Sequence, residues 1–462
     1  MKNGERANSL DALRGYAIIT MVLASTIFSY VLPAWMSHIQ TPPPNHVFRP
    51  DIPGISWVDL VFPFFLFSMG AAMPFAVGLK IDKGAKRASL CLNALKRGLK
   101  LAFFAIFLQH MYPTEHASAT HLCMWLMPLG AFVALFMLFG RFPYKLSNPY
   151  RYVIEAAGAI LAVGLLILAE NVYGRPFSLY RSNIIILVLA NMSFFATVVY
   201  IMTYGKSMWC RLMILPFVAA ILYHADGGWQ AWLFKATPVG WLYQFAYLKY
   251  LCIVLPGTIA GDMLCQSLQD RWRSQTHLWH TATLLTLSIG IIVFNLWSLY
   301  TRQLTTGLLG SCLLAALILC IVRRQTNAYW YKLTSLATCL LLLGLFVEPF
   351  EGGIKKDPAT LSYYLVTSGL ACYALLAFDI LCDVLKLKRL MTPLVMAGQN
   401  PMIAYVATAL LVNPLLQLTG LYDLMNCMAS NPWLAFLRGV LVTSLTVTTT
   451  MGFTRIKWFW RT

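Results

Sequence analysis

Charge is what this sequence has least of. Asp, Glu, Lys and Arg make up 11% of its 462 residues, whereas soluble domains carry about 25%. With 59% hydrophobic residues and a mean hydropathy of +0.67, that deficit excludes a soluble enzyme, a disordered chain and a coiled coil. Long polar stretches are missing too. Nothing is extended enough for a separate domain of ~100 residues, so the whole of 1–462 reads as one integral membrane domain that works in the bilayer or its short loops. Acidic residues are the scarcer charge, 17 against 35 basic, a net +18. No basic run carries interleaved aromatics on a soluble module, so the excess does not indicate nucleic acid. Metal and redox spacings are absent: none of the eleven cysteines forms a CxxC pair, which leaves no zinc or thiol-redox motif. Met1 to Leu10 is polar, with no signal-peptide pattern, and the apolar run Leu13 to Leu32 reads as a retained first span. No period of 20–50 residues recurs, and no duplicated halves stand out, which weakens an inverted-repeat transporter.

Apolar runs of ~20 residues are what the chain has in abundance. They begin near Ala12, Trp57, Leu95, Leu122, Val153, Asn183, Leu212, Trp241, Trp279, Thr305, Tyr331, Leu361, Pro393 and Trp433. The expectation is an all-α polytopic transmembrane bundle of about fourteen helices, or twelve if two weak spans are re-entrant. The run at Leu212 is the shortest. Basic residues alternate in density between successive loops. Twenty fall in one set, such as Lys80, Lys83, Arg141, Lys206, Arg271, Arg323 and Lys388, and seven in the other: Arg49, Arg175, Arg181, Lys235, Arg302, Lys355 and Lys356. The positive-inside rule makes the rich set cytoplasmic. Lys2 and Arg6 at one end, and Arg455, Lys457 and Arg461 at the other, join it, so both termini are expected in the cytoplasm.

Polar residues at membrane depth are costly and mark functional sites. Between spans one and two, on the side expected to be extracytoplasmic, lie His38 and His46 around Pro42-Pro43-Pro44. Three prolines favour an extended piece that can hold a His over a cavity between helices. Neutral His is a capable general base; both histidines also suit an interfacial loop. Asp59 opens an almost wholly apolar run. It suits a helix cap and equally a carboxylate partner for His46, thirteen residues before it. Gly398-Gln399-Asn400-Pro401 interrupts another apolar run, either as a plain loop or as irregular backbone lining a cavity. Lys96, Arg97 and Lys100 read as topology anchors.

Taken together, these segments resemble one known family. Arg6-Ala7-Asn8-Ser9-Leu10-Asp11-Ala12-Leu13-Arg14-Gly15 is similar to the R-x-x-S-(L/V)-D-x-x-R-G opening of the heparan-alpha-glucosaminide N-acetyltransferase-like family. Ser56 to Gly70 resembles its second-helix motif, D-L-V-F-P-W-F-x-F-x-M-G. Gly353 to Ala371 is similar to a stretch containing N-K-x-x-x-S-x-S-Y, and Gly398-Gln399-Asn400-Pro401 to G-M-N-S. The motifs cover about a fifth of the chain, in the family's order, and the chain looks like the bacterial form, in the cytoplasmic membrane.

The resemblance implies a membrane acyltransferase that takes acetyl-CoA from the cytosol and acetylates an amino sugar on the opposite side. Its catalytic His lies between helices one and two, ahead of the second-helix Asp. His46 is nearer the family spacing from Asp59 than His38, which is twenty-one residues before it. The expected roles are His46 as base or as acetyl-carrying nucleophile, Asp59 as its orienting carboxylate, and Asn400 as a hydrogen-bond donor to the thioester or acceptor. Lys96, Arg97 and Lys100 would face the phosphates of acetyl-CoA. Ser25 stands where the family has an Asn, which puts glucosamine as the acceptor in question. A homodimer is compatible with this reading. The rivals are a solute or sugar transporter without covalent chemistry, distinguished by having no CoA binding, and a family member that binds without catalysing.

Overall fold

The computed structural model of the chain describes residues 7–113, 120–143, 148–223, 232, 235–270, 278–325 and 327–460. Arg6 of the opening motif, and Lys2, Lys145, Arg271, Arg273 and Arg461 of the charge count, lie outside them.

The molecule is helical almost throughout. The principal helices are α1 (Asn8–Thr26), α2 (Trp57–Ala71), α3 (Arg87–His110), α4 (His121–Phe139), α5 (Asn148–Tyr173), α6 (Ile184–Thr203), α7 (Ile214–Tyr223) and α8 (Leu251–Asp270). They are followed by α9 (Leu278–Tyr300), α10 (Leu304–Arg324), α11 (Ala328–Val347), α12 (Leu361–Asp379), α13 (Lys388–Gln399), α14 (Pro401–Ala407) and α15 (Pro432–Arg455). Among the described residues, eleven helices are long and apolar enough to cross a membrane, and the protein is an integral membrane protein. The expected spans one and three are α1 and α3, helices of 19 and 24 residues that also carry charged side chains. The expected seventh span is α7, 10 residues or about 15 Å long, half the thickness of the hydrocarbon core.

The local sequence explains where several helices begin. Asn183, Asn327, Thr360 and Asn431 each accept a hydrogen bond from an amide in the first turn of the helix that follows, α6, α11, α12 and α15. These side chains satisfy donors that a helix start leaves orphaned. Inside the helices, Thr334, Thr367, Thr446, Thr450 and Thr454 return their hydroxyls to a carbonyl four residues earlier, so a hydroxyl at depth stays paired.

Packing centres on α12, which is buried almost along its length. It contacts α11, α9, α8, α2 and α1. At two crossings glycine comes closest to the facing backbone. A Cβ on Gly15 of α1 would lie 1.8 Å from the Leu394 carbonyl oxygen, and one on Gly398 of α13 would lie 1.8 Å from that of Asp11. On α2 and α8, a Cβ at Gly70, Gly257 or Gly261 would come within 2.2–2.3 Å of a carbonyl oxygen on the facing helix. Small residues that let backbones meet are a common device for joining helices in lipid. Arg14 ties the first crossing, donating to the carbonyls of Gly398 at 3.3 Å and Ser68 at 3.2 Å. The sparsely buried α5, α9 and α10 present Ile160, Ile167, Leu309 and Leu313 outward, as lipid-facing surfaces do.

Gly15→Ala is expected to lower the thermal unfolding midpoint in detergent by several degrees, because overpacking costs about 1–3 kcal/mol. Gly290→Ala, where nothing lies within 4 Å of the new Cβ, should leave the midpoint unchanged or raise it. A Gly15→Ala protein that melts like the parent would mean the α1–α13 crossing can open at little cost.

Candidate functional site

Asp59 is the third residue of α2, and its carboxylate is 1% exposed. The amide and the hydroxyl of Ser56 donate to its Oδ2 at 2.9 and 3.0 Å. The helix cap expected from sequence is therefore present. The other oxygen, Oδ1, lies 2.7 Å from His38 Nδ1, so the second expected role, as a carboxylate partner for a His, is present as well. The partner is His38, however, and not His46 as the spacing suggested. Spacing failed because the intervening segment is not extended. Residues 29–31 and 34–36 form single 3₁₀ turns, and the His46 amide turns back to the Pro42 carbonyl at 3.1 Å. The Gln40 side chain also grips the backbone of Asp357 through two hydrogen bonds, 2.6 and 2.9 Å, which fixes His38 in register with the second helix.

His38 Nδ1–H donates to Asp59, which leaves Nε2 as the basic nitrogen. A third group joins them. Lys356, in the loop before α12, places its ammonium 3.0 Å from His38 Nδ1, 3.3 Å from Nε2 and 3.6 Å from Asp59 Oδ1. Burial pushes the Lys356 ammonium below its ordinary range, and the Asp59 and Asp357 carboxylates pull it part of the way back.

These groups open on a cavity of about 600 Å³. His38, Lys356, Ser25 and His46 line it, with Tyr112, Tyr405, Thr408 and Asn413 among the other polar contributors. Thr408 and Ala409 come from a π turn, Thr408–Val412, a local widening frequent at functional sites. His46 sits at the cavity with its roles fixed. Its Nδ1 faces the Thr41 carbonyl at 2.9 Å and its Nε2 faces Ser29 Oγ at 3.1 Å. That arrangement makes Nδ1 the donor and Nε2 an acceptor from Ser29. Ser25 lines the cavity, but its hydroxyl donates to the Val22 carbonyl at 2.8 Å.

The remaining expected site residues are elsewhere. Asn400 is fully buried and does not line the cavity. Its amide donates to the Trp458 carbonyl at 2.8 Å and its oxygen accepts from the Trp460 amide at 3.2 Å. The break between α13 and α14 is thus filled by the chain's own C-terminal segment, and Trp460 packs among Phe104, Phe132 and Phe136. Its polar groups are consumed by backbone, so the donor role expected for Asn400 is not the one its contacts serve. Lys96, Arg97 and Lys100 project from the exposed side of α3 and do not line the cavity either. From Lys100 to His110, where α3 ends near Tyr112, is about 15 Å of helix.

Sequence reasoning gave Lys356 no role, although it counted it among the few basic residues in the sparse loops and included it in the Gly353 to Ala371 stretch that resembles the family. That scarcity was a usable signal, since a lysine where topology does not require one needs another reason. Tyr112 and Tyr405 carried no signal, because an aromatic at the end of an apolar run is ordinary.

The family model for a domain of unknown function (DUF5009) matches residues 6–264, from the opening motif through most of α8. No curated protein matches the chain. His38, Asp59 and Ser25 fall inside the matched region, and Lys356 and Asn400 beyond it.

Asn400→Ala is expected to strip the partner from the Trp460 amide and lower the melting midpoint, an unsatisfied buried donor costing about 1–3 kcal/mol. The cavity should be unaffected. Labelling with an amine-reactive reagent, followed peptide by peptide by mass spectrometry, checks Lys356 directly. Because its pKa is lowered, its half-labelling pH should fall below the ordinary 10.5. A midpoint at or above that value would contradict the burial.

Proposed function

The chain belongs to the family described as a domain of unknown function (DUF5009), and from that premise, which names no chemistry, we propose that it is a membrane acyltransferase. The observation that carries the proposal is the His38–Asp59 pair, 2.7 Å apart, at the wall of a cavity large enough for a small acceptor. His38 Nε2 takes the proton from the acceptor's amine or hydroxyl as that atom attacks the acyl carbonyl. Asp59 holds Nδ1–H, fixes the tautomer and balances the imidazolium that forms, as a triad carboxylate does. The proton then passes to the departing thiolate.

The resemblance to the heparan-alpha-glucosaminide N-acetyltransferase-like family supports acetyl-CoA as the donor and an amino sugar as the acceptor. The alternation of basic residues supports a cytoplasmic origin for the donor, at the end bearing Lys96, Arg97 and Lys100. It also supports an extracytoplasmic cavity and cytoplasmic termini, and the resemblance to the bacterial form supports a bacterial cytoplasmic membrane. His46, held by Thr41 and Ser29, shapes the acceptor side of the cavity.

The test is incubation of the purified protein in lipid nanodiscs with isotopically labelled acetyl-CoA and glucosamine, read by mass spectrometry of the sugar. His38→Ala should lower turnover by roughly 10²–10⁴ per folded molecule, and His46→Ala should keep more than a tenth of it. Loss of activity in His46→Ala with activity retained in His38→Ala would reverse the assignment. Absence of acetyl-CoA binding together with solute flux through reconstituted vesicles would replace the enzyme by a transporter.

A further inference from the structure

Lys356 is held far more firmly than a lysine that only marks topology needs to be. Its loop is tied at several points. Glu348, 1% exposed, pairs with Arg302 and accepts from the Ile354 amide at 3.1 Å. The Ile354 carbonyl accepts from Gly54 at 2.7 Å. Glu351 accepts from the amides of Leu361 and Ser362, both at 2.8 Å, and Gln40 grips Asp357. The ammonium these ties deliver keeps 26% of its side chain exposed, at the cavity.

We propose that Lys356 is a catalytic residue that binds the acyl carbonyl oxygen and carries its negative charge in the tetrahedral intermediate. The inference rests on the acyl-transfer reading above. The attacking atom must sit within hydrogen-bond reach of His38 Nε2, and the carbonyl carbon one bond beyond it. The carbonyl oxygen therefore develops its charge a few ångströms from Nε2. Lys356 Nζ is 3.3 Å from that nitrogen and 3.0 Å from Nδ1, within reach of an oxygen that close to Nε2. Among the described cavity-lining residues other than the histidines, it is the only basic side chain.

In the step, the acceptor's nitrogen or oxygen forms a bond to the acyl carbon while its proton goes to His38 Nε2. The carbonyl π electrons move onto oxygen, opposite the Lys356 ammonium. The intermediate collapses as the C–S bond breaks, the electron pair leaves on sulfur, and His38 returns its proton to the thiolate. Lys356 gains and loses no proton. A preorganised cation near a developing oxyanion, in a partly water-excluded site, is among the largest contributions an enzyme can make.

Lys356→Gln keeps a hydrogen-bond donor toward Asp59 and removes the charge; Lys356→Met removes both. With acetyl-CoA and glucosamine as probes, Lys356→Gln should lose about 10²–10³ in kcat, with KM for acetyl-CoA within about threefold and melting like the parent. Lys356→Met should lose at least as much kcat where it folds. Retention of kcat within threefold by Lys356→Gln overturns the proposal, as does a loss confined to KM. A labelling midpoint for Lys356 below neutral pH overturns it as well, because the cation would be absent at working pH. Failure of the underlying acyl-transfer reading has a different signature, activity unchanged in His38→Ala or no transfer by the parent protein.

Discussion

A carboxylate with 1% of its side chain exposed has to be satisfied from within the protein, and one end of the bundle is built around doing so for Asp59. One oxygen closes the start of α2 through Ser56 and the other receives His38, with Lys356 beside both. Its main-chain carbonyl takes the Tyr363 hydroxyl at 2.8 Å, which binds α12 to the same turn. Removing one partner of a buried charged group is far costlier than never having built it. Three separate stretches of chain, around residues 38, 59 and 356, are therefore held to one arrangement. The helix cap and the His partner, both open to Asp59 in the sequence, are here served by one group, because a carboxylate has two oxygens and several lone pairs to share.

The glycine crossings do for the helices what Asp59 does for the side chains. With backbone against backbone at Gly15–Gly398 and along α2–α8, the helices that carry the site have little freedom to slide. Precision of this kind is what the roles proposed for His38 and Lys356 require, since small misplacements of reacting groups cost rate. The π turn at Thr408–Val412 and the loops around residues 38 and 356 supply the irregular backbone, and all of them border the cavity, where polar main chain at depth is tolerated.

Much of the fold was legible because hydropathy and length report directly on a bilayer. A helix is found at each of the fourteen expected places, although α7 is only 10 residues long. The site was legible by residue type and not by pairing. Asp59 stood out as a lone carboxylate at the head of an apolar run, and the two histidines as the polar groups nearest to it. Which His it takes was not legible, since linear spacing carries no information about a segment that doubles back through 3₁₀ turns and is then clamped by Gln40 to a residue more than three hundred positions later. Asn400 illustrates the reverse error. A polar break in an apolar run reads as an open site, but here the sequence hides its own plug in Trp458 and Trp460.

The Arg14 contacts have a consequence for the order of assembly. Gly398, which accepts from the guanidinium and meets Gly15 face to face, lies 384 residues along the chain from Arg14. Synthesis therefore inserts α1 into lipid long before its closest neighbour exists. Of the other partners of the arginine in the fold, Asp11 at 3.4 Å is on α1 itself and the Ser68 carbonyl is on α2, so both are synthesised well before α13. The early α1–α2 pair is a provisional shelter for a charge that lipid would otherwise reject, and the groove beside Gly15 stays unfilled until α13 enters it.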